Sequence, residues 1–371
     1  MSATVADVVL PVAAAATASE RRLFWLRFKR HKLAMAGLVV TVLLYLIAIF
    51  GEVVAPFDPN HSSARLVYHP PQAIHWLDDG SFHPYVLAYL LKRDPVTLAA
   101  TYVPDPNKKV YLGLWVKGDQ YDMWGVFPGD RHLFGPVDPD QTVFLFGADR
   151  LGRDMLSRIV YGARASLSIG IVGVTCSLIL GILFGGISGY YGGRVDWAVQ
   201  RVIEFIISLP TIPIWLAMAA ALPRSWSPLT TYFCITLIIS LIGWTELARV
   251  VRGRFLAIRS ETYVTAAWLD GCSQGRIIFR HMLPSLASHI IASVTLAIPM
   301  MILAETALSF LGIGLQPPAI SWGALLTEAQ DVNSLAEAPW LLLPGVAVAI
   351  TVLALNFLGD GLRDAADPHA H

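Results

Sequence analysis

Five acidic residues lie in or beside long apolar runs: Glu52, Glu204, Glu246, Glu305 and Asp360. A carboxyl group within a bilayer can relay a proton or hold a cation, and the cost of placing it there makes function the default reading. A relay needs several such groups on one helix face, and these five do not share one. Most sit near the end of a run, where water or headgroups solvate them. Glu305, within VTLAIPMMILAETALSFLG, is the deepest. It is a candidate for a translocation pathway, against the plainer role of a hydrogen bond to a neighbouring helix. A second set comprises His61, His69, His75, His83 and His132 with Asp78 and Asp79. Imidazole and carboxylate suit several divalent ions, but the spacing matches no ligand pattern, and no metal ligand is assigned. Cys176, Cys234 and Cys272 make no disulfide framework.

Catalytic signatures are missing. The sequence contains no Gly-Lys-Ser/Thr, no H-E-x-x-H, no G-x-S-x-G and no C-x-x-C. The expectation is a chain that is no enzyme and holds no cofactor. If it pumps, an ion gradient or another subunit supplies the energy.

The elements that must carry these residues are membrane spans. The 371 residues are 55% hydrophobic and 15% charged, against roughly 45–50% and about 25% in soluble domains. Net charge is zero, which offers no basic field for nucleic acid. Six segments are long and apolar enough to cross: 33–55, 165–190, 197–222, 229–250, 286–312 and 339–359. The first follows RRLFWLRFKRHK, whose basic and aromatic residues suit anionic lipid headgroups. Arg-rich short loops place both termini and residues 250–284 in the cytoplasm. The expected organisation is a basic cytoplasmic segment 1–32, a first transmembrane helix 33–55, an extracytoplasmic insert 56–146, and a core 147–371 with five spans and a cytoplasmic loop 251–284.

Within the insert, VYLGLWVKGDQYDMWGVF (110–127) alternates around KGD and reads as a hairpin. Gly181, Gly185, Gly189 and Gly193 form a small-residue ridge for close helix packing, within the chain or against a second subunit. Pro210 and Pro213 interrupt the third span in SLPTIP, where each proline tends to kink a helix. Irregular backbone at that depth is tolerated along a cavity, so both are pathway candidates.

The cytoplasmic loop is more specific. SETYVTAAWL (260–269) favours a helix of about 15 Å. Gly271 suits its left-handed cap, Ser273 can N-cap a second helix GRIIFRHML, and Pro284 marks the next span. A connection between spans needs about 2–8 residues; this much longer one is shaped to dock against something soluble.

TAAWLDGCSQGRIIFRHMLP (265–284) resembles the EAA motif of ATP-binding-cassette importer permeases, E-A-A-x-x-x-G-x9-I-x-L-P. Ala266, Ala267, Gly271, Leu283 and Pro284 fall in register. Thr265 stands where the family has Glu, with Glu261 one helical turn away as its candidate substitute. His281 replaces the general Ile, as in the peptide-importer branch, which reads R-I-I-F-R-H-x-L-P. Residues 146–167, 307–326 and 339–368 are similar to the same branch.

The resemblance implies an all-α membrane protein with six transmembrane helices of the type I importer kind and a small, partly β extracytoplasmic insert. It implies a permease subunit for peptides in a bacterial inner membrane, paired with a second permease subunit, two cytoplasmic ATPase subunits that hold ATP and Mg, and an extracytoplasmic substrate-binding protein. It assigns coupling to Glu261, Thr265, Ala266, Ala267, Gly271, Arg276, Arg280, His281, Leu283 and Pro284. The same architecture also imports nickel, oligosaccharides or opine-like solutes. An ion-coupled secondary transporter is the alternative of another class. It predicts broken helices in both halves, and only one proline-interrupted span is evident.

Overall fold

Long apolar helices dominate the computed structural model, which describes residues 20–93, 100–223 and 225–366. In chain order they are α1 (Glu20–Arg30), α2 (Lys32–Ile49), α3 (Met155–Tyr191), α4 (Gly193–Ser208), α5 (Thr211–Ala220), α6 (Pro228–Ile258), α7 (Thr262–Leu269), α8 (Ala287–Phe310) and α9 (Leu343–Ala366), with shorter turns between them. Five helical stretches are each long and apolar enough to cross a membrane, and α4 with α5 forms a bent pair that passes the same test together.

The observed boundaries depart from the expected spans for local reasons. α2 stops at Ile49 because Phe50 leaves helical geometry, and a separate turn, Gly51–Val54, follows. α3 starts at Met155 rather than near 165, since Asp154 caps it by accepting from the Ser157 amide at 2.7 Å. α9 begins after a 3-10 turn, Pro339–Leu342, and runs past 359 to Ala366.

The largest correction is the third span. α4 and α5 meet at 83°, an elbow rather than a kinked continuous helix. Leu209 is extended, φ −88° and ψ 139°, as the residue before a proline prefers. Pro213 does not kink anything. It occupies the first turn of α5, where backbone N–H groups have no helical partner to lose.

The glycine ridge packs within the chain. A Cβ on Gly185 would lie 2.4 Å from the Ala248 carbonyl oxygen, and one on Gly189 would lie 2.6 Å from Phe255 Cβ, so α6 sits directly on α3. Gly193 is not part of this contact; it opens α4. Ile169, Val174, Ile235, Ile239, Met301 and Leu308 form the buried centre where α3, α6 and α8 meet.

α1 folds back beside the far end of α9. Phe28 of α1 and Ala34 of α2 are buried against Leu358 and Ala365, and Gly361 lets α9 approach α2 at Ala34.

Between α2 and α3 the chain builds an antiparallel meander: β1 (His75–Asp78), β2 (Ser81–Arg93), β3 (Ala100–Met123) and β4 (Phe127–Pro136), in spatial order 1-2-3-4. The hairpin read from 110–127 exists, but its turn lies at Trp124–Gly125. KGD is instead the start of a register irregularity, between Lys117 and Tyr121, inside β3. A bulge absorbs such residues without reversing the strand.

Candidate coupling and pathway sites

The loop after α6 folds onto the bundle as a rooted unit. α7 has eight residues, about 12 Å at 1.5 Å per residue, shorter than read from the sequence because Ser260 and Glu261 precede it. Its end is a Schellman motif. The Gly271 amide donates to the Trp268 carbonyl and the Cys272 amide to the Ala267 carbonyl, both at 3.1 Å. Gly271 has φ +74° and open space around its missing Cβ. Cys272 packs with Ala267 in one apolar cluster, the contact this motif favours.

Two details differ from expectation. Ser273 has the extended backbone of an N-cap but makes no side-chain capping bond. The second helix is mostly π-helical, over Ile277–Met282, with the Leu283 amide reaching back to the Ile278 carbonyl. Pro284 has no amide to give the preceding turn and its ring crowds the carbonyl four residues back; a wider turn accommodates it.

Val264, Ala267, Ile277, Met282 and Leu286 are buried with Val251 and Phe255 of α6. Tyr191 Oη, at the end of α3, donates to Gln274 Oε1 at 2.9 Å. The outer surface of the loop carries three large apolar side chains: Trp268, Leu269 and Phe279 are 66%, 72% and 68% exposed. Of the other coupling candidates, Glu261, Thr265, Ala266, Arg276, Arg280 and Pro284 are exposed, whereas His281 and Leu283 are half-buried. Thr265 Oγ1 donates to the Glu261 carbonyl at 3.3 Å, so the two candidates for the family's Glu role are neighbours through the backbone.

Beneath the loop lies a clamp that sequence reading missed. Asp196 of α4 accepts from Arg252 of α6 at both oxygens, and Ser188 Oγ of α3 donates to Asp196 Oδ1 at 2.5 Å. Gln200 Nε2 donates to Ser188 Oγ at 3.2 Å. The available signal was one acid in an otherwise basic membrane edge.

The pathway candidates fall in different surroundings. Pro210 and Pro213 are exposed at the elbow. Glu305 is fully buried. Its Oε1 accepts from Ser309 Oγ at 2.7 Å and Ser321 Oγ at 2.8 Å, and Ser166 Oγ approaches Oε2 at 3.5 Å. The same serines cap backbone: Ser309 Oγ accepts from the Leu315 amide at 2.8 Å, and Ser166 Oγ from the Trp322 amide at 3.0 Å. Glu305 thereby pins the irregular segment 311–326 to α3 and α8.

At the sheet end, Asp149 accepts from the Leu151 and Arg153 amides and from Arg153 Nε at 2.7 Å. Glu328 Oε1 accepts from the Arg150 amide at 2.8 Å, and Arg158 Nη1 donates to the Pro59 carbonyl at 2.9 Å. Burial pushes the Asp154 carboxyl up to about 6. Of the insert's histidines, His132 and His69 are buried and serve packing, whereas His61, His75 and His83 are exposed. His132 faces the Ala55 and Asp119 carbonyls at 2.5 and 3.0 Å. His69 sits among Tyr89, Tyr102 and Phe144, and burial pushes it down to about 4. Hydrogen bonds from Lys109 and Tyr111 hold Asp78 below the usual carboxylate range. Among the described residues, no three His, Cys, Asp or Glu side chains gather as metal ligands would.

Five long apolar helices and the bent pair α4–α5, with a loop rooted on α3 and α6, make this a multi-span helical membrane protein. The chain belongs to the family of binding-protein-dependent transport system inner membrane components, matched over residues 181–371. Residues 19–71 match the N-terminal TM domain of oligopeptide transport permease C. The chain is 30% identical to the dipeptide transport system permease protein DppC of Bacillus subtilis over 346 residues, 93% of this chain and 84% of that protein. It is also 30% identical to the di/tripeptide transport system permease protein DppC of Pseudomonas aeruginosa, over 93% of this chain and 91% of that protein. Among solved structures it is similar to a chain of the MetNI methionine ABC transporter in an inward-facing form, with 17% identity and a TM-score of 0.46 over 57% of this chain and 98% of that one. The role of the family is that of a membrane permease and is not itself catalytic.

Proposed function

We propose that this chain is a permease subunit of an ABC importer for short peptides, and that the 262–286 unit is its contact with an ATPase subunit. The observation that carries the coupling role is the two-sided construction of the loop. One side is locked to α3 and α6 through Val264, Ala267, Ile277 and Met282, while Trp268, Leu269 and Phe279 are exposed on the other. A rigid unit that presents large apolar side chains outward transmits displacement from a soluble partner to the spans. ATP binding that favours one conformer of the assembly would then shift the whole population. The peptide assignment rests on the printed functions of the relatives.

On this reading the loop, both ends of the chain and α1 face the cytoplasm, and the insert faces outward, as the Arg-rich loop edges support. ATP and Mg belong to two ATPase subunits, a second permease chain completes the pathway, and a binding protein delivers substrate.

The test is co-purification. Two ATPase subunits should come down with the chain, and Gly271→Asp or deletion of 262–272 should abolish this in folded protein. Association that survives the deletion refutes the coupling assignment. Uptake of labelled dipeptides by the reconstituted complex, competed by unlabelled peptide and not by oligosaccharide or nickel, tests the cargo.

A further inference from the structure

The tip of the β3–β4 hairpin is a type I′ turn. Trp124 and Gly125 have φ +54° and +72°, and the Val126 amide donates to the Met123 carbonyl at 3.1 Å. Such turns favour Asn or Gly at the first of these positions, and a bulky side chain at positive φ is strained. Strain of this kind persists where surrounding contacts over-determine it. Here they are specific. Trp124 Nε1 donates to the Ile49 carbonyl at 2.9 Å, its ring centroid lies 6.3 Å from that of Phe50, and its amide meets Glu52 Oε1 at 3.4 Å. All three partners lie where α2 ends.

The same residues report depth in the bilayer. Arg164 grips Glu52 at both oxygens, 2.7 and 2.6 Å, and its Nε caps the Ala48 carbonyl at 3.0 Å. A charged pair of this kind marks the polar boundary, because the hydrocarbon core is costly for it. Below that boundary α2 exposes Val39, Val42, Leu43, Leu46 and Ile49 at helical spacing, an uncovered apolar stripe on a span. Phe50 prolongs the stripe, and the hairpin tip prolongs it further: Trp124, Val126 and Phe127 are 51%, 69% and 56% exposed. Aromatic residues concentrate at this level of a membrane because their rings combine an apolar body with a polar edge.

We propose that the β3–β4 tip is a membrane-interface anchor: Trp124, Val126 and Phe127 enter the headgroup layer of the leaflet in which α2 ends, with lipid as their partner. The insert is then held at two points, at its base by the chain and at its tip by the bilayer. The β1–β2 turn supplies the contrast. Trp76, Leu77 and Phe82 there are as exposed, yet among the described residues no hydrogen bond or ring contact joins those three to a span.

The experiment uses the full chain in vesicles of phosphatidylethanolamine and phosphatidylglycerol. Val126→Cys, Leu77→Cys and Leu43→Cys are each spin-labelled in a chain whose three native cysteines are serine. Collisions with oxygen and with a water-soluble nickel chelate are then compared. The label at 126 should favour oxygen, as should that at 43, while the label at 77 favours the chelate. Preference for the chelate at 126 overturns the anchor. Protection from both reagents also overturns it and assigns the tip to a protein partner. A second measurement leaves the cysteines intact. The fluorescence difference between the unmodified chain and Trp124→Phe should be quenched by lipids brominated near the headgroup, and its persistence with those lipids refutes the proposal. Neither readout depends on transport, so failure of the importer reading is distinguishable.

Discussion

Arg252 and Asp196 meet as a two-point fork, Nε to Oδ1 at 2.5 Å and Nη2 to Oδ2 at 2.6 Å. Planar guanidinium and carboxylate match at both contacts, which fixes orientation as well as distance. The fork ties the start of α4 to α6, less than two helical turns before α6 gives way to the loop that carries Trp268 and Phe279. On the proposed coupling role, displacement of that loop would pass through this contact to α4, whose far end is the elbow.

Arg252→Lys keeps the charge and loses the fork. The expected outcome is a lower melting temperature of the purified chain, for a loss of about 1–3 kcal/mol, with Asp196→Asn of similar size. In the assembled importer, transport should fall further than ATP hydrolysis. Unchanged transport per ATP in a folded Arg252→Lys complex would remove the clamp from the coupling route.

Glu305 gives the second expectation. Glu305→Gln keeps an oxygen for the Ser309 and Ser321 hydroxyls and should melt close to the unmodified chain. Glu305→Ala leaves both without their acceptor, a cost of roughly 1–3 kcal/mol, and should open segment 311–326 to proteolysis. Equal melting and equal cleavage for the two variants would show that the carboxyl is no pin.

The third concerns pH, where two groups oppose each other. Asp154 titrates near 6 in the folded chain, against an ordinary value of 3.8. The folded state thus binds the extra proton between those values, and this group's contribution to stability falls as pH rises from about 4 to about 6. His69 titrates near 4 against an ordinary 6.5, because burial disfavours its cation. There the unfolded state binds the extra proton, and stability rises across about 4 to 6.5. Asp154→Asn, which retains an N-cap, should leave a melting temperature that climbs with pH through this window. His69→Gln should leave one that declines. Parallel pH profiles for the two variants would contradict the assignment.

Much of this architecture is written locally. Apolar runs long enough to span mark the helices, and the glycines at 181, 185 and 189 announce the α3–α6 contact because close backbone approach requires them. Gly271 is legible for the same reason, since its left-handed backbone is a property of one residue. What escapes a sequence reading depends on partners far along the chain. Asp196 and Arg252 lie 56 positions apart, and nothing nearby says they meet. The turn at Trp124 is hidden because its side chain contradicts local preference, while KGD imitates a turn that cross-strand pairing overrides. The elbow is half legible: the prolines locate it, and only packing sets 83°.

The packing of Phe28 and Ala34 against Leu358 and Ala365 bears on the parity of the crossings. It brings the start of α2 beside the finish of α9, so these two helix ends lie at the same end of the bundle. A thread that starts and finishes on one face has crossed an even number of times. Five long helices alone make an odd count. With each of the five long helices crossing once, the angled pair α4–α5 would supply the sixth passage, and the side of each connection downstream of it would be set at that one elbow.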